Sequence, residues 1–565
     1  MTDMPSSNLG LGVLCIALAG LPESPAVQGT AVAVLIPLSL GRCLTMAIAY
    51  PPLISALCDP ACFPHPVKRV TVLETHISWV LLAGRYAYKI KKPVDLGFLD
   101  FSQLSQRYFY CQEEIRLNRR LAPGIYLQVA AIGGCPKQPR INVEPAFEYA
   151  VKMRRFAADK LMDTLLAQAE VTPTHIDSLA DTIARFHRGL APASPDSNYG
   201  SPATIEAPAR QNFQQLLELM KPEDAALIKS MQDNCRQAFL AAENLFSQRQ
   251  QAGFIRECHG DLHLGNIVLL RGRPVAFDGI EFSPELRWID TISDAAFLIM
   301  DLLHRGRADL AYRFLNAYLQ ISGDYAGLGV LRFYLSYRAA VRAKIAGFRF
   351  AQTGAETARQ ACLSYLNLAD SSLSPRKPAL ILTHGLPGCG KSAVSQLLLE
   401  KHQLIRLRSD VERKRLFGLS ALQKSGSAID SGIYHPQAGQ KTYQHLLDLA
   451  QTLLKFGFPV IVDAAFLQHA QRRPFQLLAQ SLGIPFVIVS IQAKDKVLQQ
   501  RIQRRQEQGG DPSEADLSVL DKAKTGAEAL QTEELPYKLV LTNNSDGLDE
   551  IDQQAAWHEL ARTLE

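Results

Sequence analysis

His259-Gly260-Asp261-Leu262-His263-Leu264-Gly265-Asn266 is the stretch of the 565-residue chain from which the fold of its first half is predicted. A second acidic station, Phe277-Asp278, follows on the next predicted strand. Asp261 can accept the proton of an attacking hydroxyl, whereas Asn266 and Asp278 offer oxygen ligands of the kind that Mg²⁺ prefers. An Asp–Asn pair that only caps a turn is the alternative. The further acid at Asp278 favours a magnesium- and ATP-dependent phosphoryl-transfer site with Asp261 as its base.

The residues before and after this stretch differ in their periodicity. Strands are predicted at 77–83, 85–91, 127–132 and 147–153, where β-branched and aromatic residues are bounded by turn signals. The following segments place apolar residues at helical spacing. A β-rich first part and a helical second part, with the acidic loop between them, predict an α+β two-lobed domain over residues 46–350.

The predicted strand at 85–91 contains two lysines. The Ala-x-Lys that ends at Lys89 resembles the third strand of protein kinases, which makes Lys89 the predicted ligand of the ATP phosphates. Lys91 is the alternative, although a neighbouring strand lysine is more often solvated. Glu114 lies on a predicted helix where kinases place the acidic partner of that lysine. Glu113, one residue earlier, leaves the position of this partner open.

These residues resemble the aminoglycoside phosphotransferase family, a branch of the protein-kinase-like fold that includes the choline kinases. The resemblance covers roughly residues 68–350. Protein kinases usually carry Arg where Gly260 stands, and no Gly-x-Gly-x-x-Gly covers the expected phosphate site, so the small-molecule branch is favoured. Glu281 is either a further acid near the metal ions or a structural partner. The resemblance implies Asp261 as the catalytic base, Asn266 and Asp278 as magnesium ligands, Lys89 with Glu114 as the phosphate-positioning pair, and His259 and Asp294 as hydrogen-bonding braces of the loop.

A second nucleotide signal is Gly385-Leu386-Pro387-Gly388-Cys389-Gly390-Lys391-Ser392, which follows an apolar strand and precedes a helix. This strand–loop–helix context is the one that a phosphate-binding loop requires. Glycines such as Gly385, Gly388 and Gly390 let backbone N–H groups converge on phosphate oxygens. Lys391 is predicted to reach the β- and γ-phosphates of ATP, and Ser392 to bind Mg²⁺.

Further acidic and basic residues complete the predicted second site. Asp463 ends a buried strand and is expected to order the magnesium shell, with helix capping as the alternative. Asp410 follows another apolar strand and is the predicted base for an acceptor hydroxyl. A basic helix carries Arg501 and Arg505 before Gly509-Gly510, as expected of an arginine-bearing lid, although a solvated face is the alternative for any single arginine.

Residues 379–560 are therefore predicted to form an α/β P-loop domain with a doubly wound parallel sheet. The stretch 377–560 resembles the AAA-type P-loop kinases, whose relatives phosphorylate gluconate, polynucleotide ends or similar hydroxyls. The Ser/Pro-rich end of the preceding segment predicts a linker over 351–378.

The composition, 47% hydrophobic and 20% charged residues, is that of an ordinary soluble globular protein. The net charge of +5 gives no indication of a nucleic-acid partner. Two apolar runs in residues 1–45 are each shorter than the about 18 residues that span a bilayer, and the basic residues of a signal peptide are missing. We expect this segment to be an extension before a true start at Met46, with a secretory signal as the alternative. Scattered cysteines favour the cytoplasm.

The combined prediction is a bifunctional cytoplasmic phosphotransferase that uses ATP and Mg²⁺ in two modules. The fusion resembles bacterial proteins that join an aminoglycoside phosphotransferase family enzyme to an ATP-binding protein. The expected acceptors are hydroxyl groups of small molecules. Two alternatives belong to other classes: a nucleotide-sensing regulatory protein with a pseudokinase-like first module, and a second module that hydrolyses ATP with water as acceptor.

Overall fold

The computed structural model describes residues 50–97, 99–427, 431–508, 511–545, 548 and 550–564. The expected extension 1–45, the expected start at Met46 and the glycine pair Gly509-Gly510 lie outside these residues. Within the described part, no helix is long and apolar enough to cross a membrane.

Contacts between residues divide the chain into two compact units. The first contains residues 50–171, Ala191–Gly200 and Gly253–Asp290, and the second contains Thr172–Leu190, Ser201–Ala252 and residues 291–564. This division differs from the predicted boundary at residue 350, because helices expected in the first domain belong to the same unit as the P-loop segment. Helices and strands are numbered below in chain order through both units.

The first unit contains an antiparallel sheet whose inner strands confirm the four predicted ones. Its strands are β1 (Val70–Glu74), β2 (Ser78–Ala83), β3 (Tyr86–Lys91), β4 (Tyr126–Cys135), β5 (Gln138–Ile141) and β6 (Ala146–Arg154). Their spatial order is β1-β2-β3-β6-β4-β5, so β3 is an interior strand. Five of its six residues are buried, which places both strand lysines away from solvent.

Two short strand pairs frame the acidic loop of the first unit. The strands are β7 (Ile255–Glu257), β8 (Ile267–Leu270), β9 (Arg273–Ala276) and β10 (Trp288–Asp290); β7 pairs with β10, and β8 pairs with β9. The loop that carries Asp261 therefore starts from one pair and ends in the other. The helices of this unit are α1 (Pro52–Ala56), α2 (Leu104–Asn118), α3 (Met162–Ala167) and α7 (Pro284–Arg287).

The second unit begins with helices, and the 3.6-residue periodicity predicts all but the last of them. They are α4 (Pro173–Gly189), α5 (Pro202–Leu219), α6 (Ala225–Gln251), α8 (Thr291–His304), α9 (Ala308–Ser322), α10 (Leu328–Thr353) and α11 (Glu356–Leu373). The predicted linker over 351–378 is therefore largely wrong, because most of it is α11. Its buried residues are Ala358, Cys362, Tyr365, Leu366 and Ala369. They lie three, four or one residue apart, which is an apolar stripe of mostly small side chains.

A five-stranded parallel sheet follows and confirms the predicted α/β fold. The strands are β11 (Leu380–His384), β12 (Ile405–Arg408), β13 (Val460–Asp463), β14 (Phe486–Gln492) and β15 (Lys538–Thr542), in the order β12-β13-β11-β14-β15. The three inner strands β13, β11 and β14 are almost fully buried, as expected for a sheet covered on both faces, whereas the edge strand β15 has one buried residue, Leu541. The accompanying helices are α12 (Lys391–His402), α13 (Ser409–Leu416), α14 (Pro436–Lys455), α15 (His469–Leu482), α16 (Asp495–Gln508), α17 (Leu517–Gly526) and α18 (Ala555–Leu564).

Helix α9 packs directly on the edge strand β12 through one buried amide. Asn316 donates from Nδ2 to the Leu404 carbonyl oxygen at 2.9 Å and accepts at Oδ1 from the Arg406 N–H at 2.7 Å. The side chain thus satisfies backbone groups as a neighbouring strand would. Next to it, the Tyr325 hydroxyl donates to Glu412 of α13 at 3.0 Å. The helices that precede the P-loop segment therefore hold β12 and α13 in place.

Candidate active sites

The acidic loop of the first unit requires a glycine at position 260. Gly260 has a φ of +85°, and a Cβ there would lie 2.8 Å from the Leu286 carbonyl oxygen. Both the left-handed backbone and the close approach exclude a larger residue. His259 braces the same turn, since its Nε2 lies 2.9 Å from the Phe277 carbonyl oxygen and its Nδ1 accepts from the Asp261 N–H at 3.3 Å. The predicted bracing role of His259 is therefore seen in the geometry.

The loop brings Asp261 and Asn266 into direct contact. Asn266 donates from Nδ2 to the Asp261 carboxylate at 2.9 Å and to its carbonyl oxygen at 3.1 Å. Because Nδ2 is used in this way, the amide oxygen is the atom that Asn266 offers to a cation. Asp278 has a φ of +61°, an uncommon conformation for an aspartate. Its N–H donates to the hydroxyl of Tyr126 at 3.0 Å, which fixes the turn that presents the carboxylate.

Both strand lysines and three carboxylates form one buried charge cluster. Lys89 Nζ lies 2.9 Å from Glu114 and 2.7 Å from Asp278. Lys91 Nζ lies 2.8 Å from the other oxygen of Glu114 and also contacts Glu281. The helical partner is thus Glu114, as predicted, and both lysines use it. Lys89 is the one that reaches the predicted magnesium ligand Asp278.

The opposite charges in this cluster keep one another ionised, although burial favours the neutral forms. Burial alone would lower the pKa of Lys89, but Asp278, Glu114 and Glu281 raise it well above its usual value. Burial would raise the pKa of Glu114, yet Lys89 and Lys91 lower it to about 2. Burial raises the pKa of Glu281, with Lys91 opposing that shift. Lys89 and Glu114 are therefore charged at neutral pH.

One positioning residue of the first site, Asn118, was not predicted from the sequence. Asn118, four residues after Glu114 on α2, accepts from the Gly279 N–H at 2.7 Å and donates to the Gly279 carbonyl oxygen at 3.3 Å. It ties the helix that bears Glu114 to the residue after Asp278. The helical spacing from Glu114 was the available signal. Asp294, the other predicted brace, lies 3.0 Å from His187 in the second unit, and its bracing role stays a prediction.

The P-loop follows β11 and is shaped by glycine. Gly388 has a φ of +84°, and a Cβ there would lie 2.7 Å from the Leu498 carbonyl oxygen. Lys391 Nζ donates across the loop to the carbonyl oxygens of Gly385 and Leu386 at 3.0 and 2.9 Å. The loop is therefore a glycine-dependent cradle closed by an ammonium group. Gly390 is the residue immediately before α12, so the first N–H groups of that helix face the loop.

The predicted second-site residues, apart from Gly385, line one cavity, which we call the P-loop cleft. It has a volume of about 580 Å³. The carboxylate of Asp463, at the end of β13, accepts from Ser395 at 3.3 Å and lies 3.5 Å from Arg408 Nε. Arg408 was not predicted; its Nη2 is also 3.5 Å from Ser392 Oγ. The lining includes Gly388, Gly390, Lys391, Ser392, Asp410, Arg413, Asp463, Arg501 and Arg505.

The two predicted lid arginines make backbone contacts. Arg501 donates to the Gly388 carbonyl oxygen at 3.4 Å and to the Asn543 side chain at 3.1 Å. Asn543, which is buried, in turn donates to the Cys389 carbonyl oxygen at 2.9 Å. Arg505 donates to the Ala515 carbonyl oxygen. Their roles as phosphate ligands stay predictions, and Arg501 with Asn543 additionally holds the P-loop backbone.

His384 closes β11 immediately before the P-loop. Its Nδ1 lies 3.0 Å from the hydroxyl of Ser490 on β14. Burial lowers the pKa of His384 to about 4, and the nearby Arg472 and Lys391 add to that shift. The imidazole is therefore neutral at physiological pH and adds no positive charge to the cradle.

The residues of both sites suit a nucleoside triphosphate with Mg²⁺. In the first unit, Asn266 and Asp278 supply oxygen atoms suited to Mg²⁺, and Lys89 supplies a phosphate-pairing ammonium. In the second, the glycine cradle would be blocked by a side chain at Gly388, and Ser392 and Asp463 are hard oxygen donors.

Comparisons with known proteins find two family models along the chain. Residues 111–334 match a model described as "Phosphotransferase enzyme family", and residues 380–530 match one described as "AAA domain". A solved choline kinase from Cryptosporidium parvum Iowa II is 12% identical, with 56% of this chain and 95% of that chain covered and a TM-score of 0.38. A gluconokinase from Sinorhizobium meliloti 1021 is 19% identical, with 34% and 97% covered and a TM-score of 0.24.

Two mycobacterial proteins align along most of their length. They are "Uncharacterized protein Rv2004c" of Mycobacterium tuberculosis and "Uncharacterized protein Mb2027c" of Mycobacterium bovis. Each is 33% identical over 458 residues, which are 79% of this chain and 89% of the relative. The chain therefore belongs to the same family as these mycobacterial proteins, and it joins a phosphotransferase-family kinase-like domain to an AAA-type P-loop kinase-like domain.

Proposed function

We propose that each domain transfers the γ-phosphate of ATP to a hydroxyl group of a small molecule, in the cytoplasm where ATP is available. The observation that carries this proposal is the pairing, in each domain, of phosphate-binding cations with a carboxylate suited to act as a base. In the first domain, Lys89 contacts the predicted magnesium ligand Asp278, and the other predicted ligand, Asn266, is hydrogen-bonded to the Asp261 carboxylate. In the second domain, Lys391 and Asp410 line the same cleft.

In the first domain, Asp261 would take the proton of the acceptor hydroxyl as its oxygen attacks the γ-phosphorus and the bond to ADP breaks. Asn266 holds the Asp261 carboxylate by its 2.9 Å hydrogen bond, which orients the base. Lys89, kept charged by Glu114, would orient the phosphates. Mg²⁺, when bound, would neutralise charge that develops on the phosphate oxygens.

In the second domain, Asp410 stands in the first turn of α13 and would act as the base. Lys391 and the backbone N–H groups of the cradle would bind the phosphates, while Ser392 and Asp463 would hold Mg²⁺. Arg413 also lines the P-loop cleft, which suits an acceptor that carries negative charge.

A phosphorylation screen of a metabolite extract by mass spectrometry tests the proposal. The full chain would be compared with Asp261→Asn, which retains the shape of the first site, and with Lys391→Ala. We expect each variant to lose a different set of phosphorylated products. The matched controls are Asp448→Asn and Lys455→Ala, which change side chains exposed on α14.

The outcomes separate the classes of protein. Products that persist in Asp261→Asn would make the first domain a nucleotide sensor. ATP hydrolysis that no hydroxyl compound stimulates, and that Lys391→Ala abolishes, would make the second domain an ATPase. No ATP-dependent product in the wild-type chain would contradict the proposal as a whole.

A further inference from the structure

A second cavity in the P-loop unit, which we call the arginine cavity, has a volume of about 850 Å³. Helices α4 and α9 form one wall, and β12, α13 and the segment 418–423 form the other. One wall thus comes from the phosphotransferase-family segment and the other from the AAA segment. Arg408 lines both this cavity and the P-loop cleft. The arginines of its lining are Arg185, Arg188, Arg313, Arg406, Arg408 and Arg415.

Four of these arginines pair with carboxylates and stabilise the walls, among them Arg408, whose Nε lies 3.5 Å from Asp463. Arg313 donates to Asp177 at 2.8 Å and to Glu400 at 2.6 Å. Arg415 pairs with Glu412 at 2.6 Å. Arg185 pairs with Asp181 at 2.8 Å near the exposed rim. These pairs shape the cavity, and they leave the positive charge of its interior to other residues.

Arg406 carries a buried positive charge that no ion pair offsets within the described part of the chain. It is only 6% exposed, and no carboxylate among the described residues forms an ion pair with it. Its Nη1 donates to the Ser392 carbonyl oxygen at 3.2 Å and to the Ser395 hydroxyl at 3.3 Å. Its buried Nε has no hydrogen-bond partner in the described part of the chain. Burial and the neighbouring Arg408 lower the pKa of Arg406 to about 10.

A buried guanidinium that no ion pair offsets is costly, and a bound anion would lower that cost. The carboxylate of Asp463 attracts Arg406 without forming an ion pair with it, and it lies 3.5 Å from Arg408. Arg406 and Arg408 are two residues apart on β12, so they lie on the same face of the strand. Both line the cavity, and guanidinium groups match the oxygens of a phosphate group, which accept several charge-assisted hydrogen bonds at once. The segment 418–423 also lines the cavity.

We propose that the arginine cavity is a second binding site, distinct from the P-loop cleft, for a phosphate-bearing small molecule. The bound phosphate accepts from Arg406 Nε and from Arg408. Because Arg406 also holds the carbonyl oxygen of Ser392, occupancy of the cavity changes the geometry of the P-loop and hence its nucleotide affinity. The site goes beyond the proposed phosphotransfer reactions, since its ligand is bound and released unchanged.

Calorimetric titration of the full chain tests this inference. The P-loop cleft is first saturated with ADP and Mg²⁺, and inorganic phosphate or glycerol 3-phosphate is then added at constant ionic strength. We expect a further binding event with at least one of the two probes. Arg406→Met should weaken that event about tenfold or more, because a charge-assisted hydrogen bond is lost.

A pair of variants at an exposed position keeps the test valid if Arg406→Met misfolds. Leu422 is 60% exposed and lines the arginine cavity. Leu422→Glu should weaken phosphate binding by repulsion, whereas Leu422→Gln, of the same shape without the charge, should not. Arg210→Gln, in an exposed arginine paired with Glu206 on α5, is the control for loss of a positive charge elsewhere.

Four results would overturn the proposal. They are no binding of either probe to the ADP-saturated chain, equal affinity in Leu422→Glu and Leu422→Gln, a loss in Arg210→Gln as large as in Leu422→Glu, and a nucleotide affinity that either probe leaves unchanged. The proposal is supported if the probe binds more weakly to Leu422→Glu but not to Leu422→Gln or Arg210→Gln, and if the probe changes the affinity of the chain for ADP.

Discussion

Gly388→Ala is expected to weaken nucleotide binding in the P-loop cleft about thirtyfold or more. Gly388 has a φ of +84°, and a left-handed alanine costs about 1–2 kcal/mol. The added Cβ would lie 2.7 Å from the carbonyl oxygen of Leu498. That oxygen belongs to the backbone of α16, so the loop itself must shift, at a further cost of about 1–3 kcal/mol. The total of about 2–5 kcal/mol destabilises the loop conformation that binds phosphate.

Nucleotide titration of the full chain, in a Lys89→Met background that weakens the first site, measures this effect. The matched control is Gly439→Ala, within α14, where an added Cβ has no atom within 4 Å. It should leave the affinity unchanged and raise the free energy of unfolding by about 0.5–1 kcal/mol. An affinity of Gly388→Ala within about twofold of its background would refute the reasoning, since such a change corresponds to less than about 0.5 kcal/mol.

The remaining predictions concern other contacts described above. Lys89→Met should lower turnover by the first domain more than Lys91→Met does, while Lys91→Met, which removes the ion-pair partner of the buried Glu281, should lower the free energy of unfolding by about 3–5 kcal/mol; equal effects in both assays would contradict this division. The pKa of His384 is lowered to about 4, so the unfolded chain binds a proton first as pH falls from 6.5 towards 4, and stability should decrease in that window. His384→Gln should flatten the pH dependence measured by chemical denaturation at pH values between these limits. Asn316→Leu should destabilise the chain by about 3 kcal/mol, because it leaves the Leu404 carbonyl oxygen and the Arg406 N–H without this hydrogen-bond partner. Asn234→Leu, in an amide bonded only at the surface, should cost less than about 1 kcal/mol in the same measurement.

Local patterns were sufficient to predict both folds. The P-loop and the acidic loop are each written within a few residues, and their glycines, lysine and acids have roles that short-range geometry dictates. The inner strands of the first sheet alternate or end at turn signals, and the structure confirms them. These features can be predicted because residues close in the sequence determine them.

Features that depend on distant parts of the chain were not predictable in the same way. The sequence favoured Lys89 over Lys91 but could not show that both reach Glu114, because the position of Glu114 depends on how α2 packs against β4 and β6. The contact of Asn118 with Gly279 joins residues 161 positions apart. Arg406 gives no sequence signal, since only burial turns an ordinary strand arginine into an uncompensated charge.

Helix α11 was missed for a different reason. Its buried face uses alanine and cysteine beside Tyr365 and Leu366, so its apolar stripe is weaker than that of a leucine-rich helix. The Ser/Pro-rich segment after it dominated the composition. The true break between helix and sheet is much shorter than predicted, from Ser374 to the start of β11.

The amide of Asn316 has a consequence for how this chain can be shortened or recombined. A bare outer strand invites aggregation, because its open hydrogen-bonding row can recruit strands of other molecules. A chain cut at Ser374 would keep all the catalytic groups proposed for the second domain and would expose the row that α9 now covers. The second domain therefore cannot simply be moved to another protein on its own. Any protein that contains it without these helices needs another segment to cover the edge of β12.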